Sequence, residues 1–168
     1  MHFILPFVAL TLLGMDLRKA FLIGCLGVVP DLDVLFMYHR TLSHSVVVIG
    51  LVSLPFVVYS WRVRPEWLSD SLFCFLVLAS NPLLDVFFGY TPVLWPLYPY
   101  SVALRMGLDV HIGETSTLTP FLDVNRVRAD FNQRMFIEGS LFTSESVIIT
   151  LVLLAPILYR RFKNTQYE

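Results

Sequence analysis

Between Gly24 and Ser45 the chain reads GCLGVVPDLDVLFMYHRTLSHS, which sets Asp31, Asp33, His39, Arg40, Ser43 and His44 at the edges of two apolar runs. A charged side chain near the middle of a bilayer costs about 2.5–3.5 kcal/mol on the insertion scale, so carboxylates closing an apolar run need a partner or a purpose. Carboxylate with imidazole is the donor set of a divalent metal site. Further along, Asn81 and Asp85 stand at i and i+4, so a helix would put an amide oxygen and a carboxylate on one face, a plausible hard pair of ligands. His2 opens the first apolar run, and Arg40 is suited to clamp an anion such as phosphate or to pair with Asp31 or Asp33.

Each residue also has an ordinary reading. Asp31 can end a helix beside the Pro30 turn, His39 can be an interfacial side chain, and Asn81 followed by Pro82 has the form of a helix start, with Asn as N-cap and Pro at the first helical position. His111 reads as a lone histidine. For the aspartates the functional reading is preferred, because two carboxylates this close to an apolar run are expensive.

The elements that must hold these groups are apolar. With 56% hydrophobic and 15% charged residues and a mean hydropathy of +0.69, the 168-residue chain reads as one integral membrane domain, 1–168. A net charge of -1 with scattered basic residues gives no support to nucleic-acid binding. Cys25 and Cys74 lie in apolar runs without CxxC spacing and are not expected to form a disulfide.

The fold expected is all-α and polytopic, with about five transmembrane helices at 2–15, 20–38, 44–61, 71–90 and 145–159. The first is read as an uncleaved helix, since Arg18 and Lys19 follow it instead of preceding it. Arg18/Lys19, Arg62/Arg64 and Arg160/Arg161/Lys163 fall in alternate loops, which on a five-span count puts the N-terminus outside and the C-terminus in the cytoplasm of a cell-membrane protein.

An extramembrane segment, 91–144, joins the last two helices. Tyr90, Trp95, Tyr98 and Tyr100 fit an interfacial aromatic belt, and Pro92, Pro96 and Pro99 rule out a regular helix there. From Val102 to Ile112 apolar residues alternate with others, which predicts a strand; 118–128 is expected to return as a second, giving a small β cap.

On this layout His2, Asp31, Asp33, His44, Asn81 and Asp85 all reach one face of the membrane. In an unbroken helix Asp31 and Asp33 would point about 200° apart, but Pro30 loosens the turn by removing a donor and lets both face inward.

The order PDLD, HRTLSHS, SNPLLD, a Gly-Tyr turn and PVLWP resembles the family of membrane-bound, predicted metal-dependent hydrolases of bacteria and archaea, over about residues 1–100. The resemblance implies metal-binding roles for His2, Asp31, Asp33, His44 and Asp85, with His39 and Arg40 in the neighbouring HR pair. Similar proteins usually carry histidine where this chain has Asn81, a weaker and harder ligand that shifts selectivity from zinc towards manganese or magnesium.

The function expected is therefore a membrane-embedded hydrolase with a divalent ion, zinc first, acting on a lipid or lipid-linked ester or phosphoester at the outer face. Asp33 or His39 would serve as general base, and Arg40 would stabilise developing negative charge. The rival is a structural or partner-binding membrane protein with a degenerate metal site. Ion transport ranks last, because the inner halves of the helices are apolar.

Overall fold

A computed structural model of the chain describes residues 1–36, 40–112, 116–131 and 144–165. A short helix, Ile4–Leu12 (α1), is followed by Leu17–Cys25 (α2), capped by Asp16, whose carboxylate accepts from the backbone of Arg18 and Lys19. The chain then tightens into 3-10 turns over Leu26–Phe36, with Pro30 inside. Proline has no N–H to give to a regular helix, and the tighter winding is what the residues around it adopt. A 3-10 turn at Leu42–His44 leads into Val46–Val63 (α3), whose N-cap Ser45 accepts from Val48.

After a turn at Pro65–Trp67 the chain returns alongside as Leu68–Asp85 (α4), and Phe75 rests against Gly50. Leu10, Ala20, Ile23 and Val77 form the core where α1, α2 and α4 meet. Lys19 pairs with Asp70 at 2.6 Å beside it. The last helix, Ser144–Thr165 (α5), packs on α1.

Tyr100–His111 (β1) and Thr117–Arg128 (β2) form the antiparallel hairpin expected from the alternation, starting two residues earlier than the pattern suggested. Met106 pairs with Leu122, Leu108 with Pro120 and Val110 with Leu118, so one face of the ribbon is apolar; Arg105 opposite Asp123 and Asp109 opposite Thr119 lie on the other. The turn residues 113–115 lie outside the described residues. The root of the ribbon is tied to the end of α4 by the Leu104 N–H donating to the Val86 carbonyl at 2.8 Å.

Five membrane-crossing helices are not found among the described residues. Among the described residues two helices are long and apolar enough, Val46–Val63 and Pro65–Asp85. The run 2–15 yields a helix of nine residues, about 14 Å long against a hydrocarbon core of about 30 Å. The run 20–38 is broken between α2 and the turns around Pro30. In α5 the apolar run that begins at Val147 is closed by Arg160, about 20 Å along. Run length in the sequence overestimated helix length because it did not register where backbone hydrogen bonding stops. The assignment of the N-terminus to the outside and the C-terminus to the cytoplasm counted five crossings and loses its basis with them.

Candidate metal centre

The site lies where the start of the chain, the 3-10 turns and the end of α4 meet. A Cβ on Gly27 would run into the His2 carbonyl oxygen, so only glycine there lets the chain start lie against the 3-10 turn. That approach brings His2 Nε2 to 3.3 Å from Asp85 Oδ1. Asp31, one residue after Pro30, reaches the same space: its Oδ1 is 3.2 Å from His44 Nε2, and Oδ2 accepts from Asn81 Nδ2 at 2.9 Å. His44 Nε2 is also 3.3 Å from Asp85 Oδ2. Donor atoms of His2, Asp31 and Asp85 all lie within 4.8 Å of one another.

These separations can be compared with those an ion would impose. Zinc–ligand bonds of about 2.0–2.2 Å in a tetrahedron set neighbouring ligands about 3.3–3.6 Å apart. The His2–Asp85, His44–Asp31 and His44–Asp85 distances of 3.2–3.3 Å lie at or just under the lower end of that range, while His2, Asp31 and Asp85 as a group span up to 4.8 Å, so the side chains would have to adjust around a shared ion. Two buried polar atoms of this group, His2 Nδ1 and Asn81 Oδ1, have no hydrogen-bond partner among the described residues.

Asn81 and Asp33 have other contacts. The α4 helix runs through Asn81 and Pro82, so Asn81 is not a helix N-cap; fully buried, it donates to the Gly27 carbonyl at 2.9 Å as well as to Asp31. Asp33 Oδ2 accepts from the Thr41 N–H at 3.2 Å, the Thr41 hydroxyl at 3.1 Å and the Ser43 hydroxyl at 2.9 Å. It also stands 3.3 Å from His44 Nδ1, on the far side of the ring from Asp31 and Asp85. Thus Asp33 shapes the turn that presents His44, while Asp31 and Asp85 meet its other nitrogen. Thr41 was not singled out in the sequence, though a hydroxyl three residues before a candidate ligand is a signal that could have been read.

Burial by itself would lower the His44 pKa, but hydrogen bonding to Asp31, Asp33 and Asp85 overturns it and pushes the imidazole up to about 10. For Asp31, burial works towards a raised pKa, and its hydrogen bonds with His44 and Asn81 hold it below the ordinary aspartate value.

Arg40 Nε lies 3.4 Å from Asp85 Oδ2. Its φ of 56° is in the left-handed region, a strained place for a side-chain-bearing residue that persists where surrounding contacts over-determine it. One such contact is Gly89, whose missing Cβ leaves room for the guanidinium. His39 falls outside the described residues. His111, at the exposed far end of β1, is not part of the cluster.

No family model matches the chain, and neither a curated protein nor a solved structure matches it.

Proposed function

We propose that the chain is a membrane-embedded, metal-dependent hydrolase acting on an ester or phosphoester of a lipid or lipid-linked molecule at the bilayer surface. The observation that carries this reading is the convergence of His2, Asp31, His44 and Asp85 from four separate parts of the chain on one small volume. Their mixture of two imidazoles and carboxylates suits zinc, with manganese or magnesium as alternatives. Asp31, Asp33 and Asp85 bring three carboxylates to His44, against the fixed cation of Arg40 on Asp85. A divalent ion would balance that excess of negative charge.

Membrane embedding is supported by α3, an 18-residue helix of mean hydropathy 1.9 of which only 11% is buried. Leu51 and Val52 are 62% and 75% exposed, which suits lipid and not water. The cluster sits at one end of the α3–α4 pair, and at the other end Arg62 stacks over Trp61 and Arg64 over Trp67, a combination suited to a headgroup layer.

A divalent ion would supply Lewis acidity and an acidified water. Asp31, Asp85, His2 and His44 would hold it, with Asn81 fixing Asp31 and Asp33 fixing His44, as outer partners orient metal ligands elsewhere. Arg40 brings a fixed cation to the same mouth, placed to receive the developing negative charge of a substrate. Elemental analysis of the detergent-purified protein, together with hydrolysis of a chromogenic phosphodiester, tests the reading: near-stoichiometric metal and metal-dependent turnover are expected, both lost in Asp31→Ala and His44→Ala.

A second reading is a structural membrane protein that keeps the cluster as an ion-pair network. It is favoured by the partners these groups already find in one another, such as Arg40 with Asp85 and His44 with Asp31. Failure of the wild-type protein to bind one equivalent of zinc would make it the better account.

A further inference from the structure

We infer that the β1–β2 ribbon lies on the lipid surface, its apolar face inserted among the acyl chains beside the mouth of the metal centre. This rests on the membrane reading of α3 and α4. Met106, Leu108, Val110, Leu118, Leu122 and Val124 share that face, and each is more than half exposed. Twelve residues per strand make a ribbon about 40 Å long. A two-stranded ribbon is marginal in water on its own, so a face this long and apolar calls for a cover.

Two features identify lipid as the cover. The ribbon is rooted at the end of a candidate span: the Leu104 N–H donates to Val86, the residue after α4 ends, and Thr91 bridges to Val102. If α4 crosses the bilayer, the root is held at its surface, within reach of the acyl chains. At the root, on that same face, the Arg126 guanidinium sits 5.7 Å over the Tyr100 ring and donates to the Tyr98 hydroxyl at 3.2 Å. Tyrosine with arginine is the pairing that headgroups favour, rings at the boundary and charge in the polar layer. The opposite face carries Arg105, Asp109 and Asp123, which keep water contact. A lipid substrate would then meet the centre from a layer the ribbon already occupies.

Full-length protein carrying Cys25→Ser and Cys74→Ser, with single cysteines labelled by an environment-sensitive fluorophore, tests this in phosphatidylcholine–phosphatidylglycerol vesicles. Probes at Leu108 and Leu122 should show blue-shifted emission, lose intensity to doxyl-labelled lipid and resist iodide; probes at Thr119 and Asn125 should do the reverse. A probe at Val52 in α3 reports separately on the helical pair. If Val52 is quenched by lipid while Leu108 and Leu122 respond to iodide as Thr119 does, the ribbon proposal is overturned and the membrane reading stands. Protection of Leu108 and Leu122 from both quenchers, with excimer emission from pyrene at these sites, overturns it in favour of a second copy of the chain. A Val52 probe open to iodide removes the membrane reading and this inference with it.

Discussion

Asn81 donates its side-chain amide to Asp31 Oδ2 at 2.9 Å, and this contact joins the last part of α4 to the 3-10 turns fifty residues earlier. The amide has two donors, and the second goes to the Gly27 carbonyl. Both acceptors face the nitrogen, which fixes the orientation of the amide. Asn81 is therefore placed to aim a ligand carboxylate. Asn81→Ala should weaken zinc binding by about 10–100-fold, the usual effect of losing such an outer partner, while Asp31 and Asp85 still bind. Competition with a chromophoric chelator in detergent measures it; an unchanged affinity would count against the positioning role.

The two nitrogens of His44 have different neighbours, and removing those neighbours should have different consequences. Asp85→Ala takes away a proposed ligand and should abolish stoichiometric zinc. Asp33→Asn removes the charge behind Nδ1 but leaves an amide oxygen to accept from Thr41 and Ser43, so zinc should still bind, more weakly. Equal loss of metal in the two variants would show that Asp33 is itself a ligand.

The pH dependence follows from His44 and Asp31. In the folded, metal-free protein the His44 pKa is raised from 6.5 to about 10. Its contribution to stability is then fully present below 6.5 and is lost as pH rises towards 10. Asp31 is shifted down from 3.8, so its contribution is present above 3.8 and is lost as pH falls through the folded value. Thermal unfolding with a chelator present should therefore show maximal stability between these limits and a decline on the alkaline side. Metal binding must displace the His44 proton, so zinc affinity should rise by about tenfold per pH unit over the neutral range. Flat affinity from pH 6 to 9 would rule out a protonated His44 as the group displaced.

Two glycines give a paired test. At Gly27 a new Cβ meets backbone, the His2 carbonyl, so Gly27→Ala should lower both the unfolding temperature and the zinc content. A Cβ at Gly89 meets the flexible end of Arg40, which can swing aside. Gly89→Ala should leave unfolding and zinc content near wild type and weaken inhibition of the zinc-loaded protein by inorganic phosphate about as much as Arg40→Gln does. Phosphate inhibition unaffected by either change would remove Arg40 from the anion site.

The sequence by itself determined the local patterns and the candidate donors. Period-2 alternation from Val102 to Ile112 specified a strand wherever the ribbon came to lie, because side chains on a strand alternate whatever surrounds it. Asp31, His44 and Asp85 stood out because polar groups closing apolar runs are costly without partners. What only the tertiary structure decided was length, direction and proximity. The runs 2–15 and 20–38 are apolar enough for helices to continue, yet their helices stop where backbone geometry changes, and hydropathy does not register that. Whether Asn81 offers oxygen or nitrogen depended on the two acceptors beside it, and Asp33 turned to Thr41 and Ser43 because the loop after Arg40 folds back over it. The glycines at 27 and 89 matter only through what approaches them, the His2 backbone and the end of Arg40, and such approaches exist only once the chain has packed.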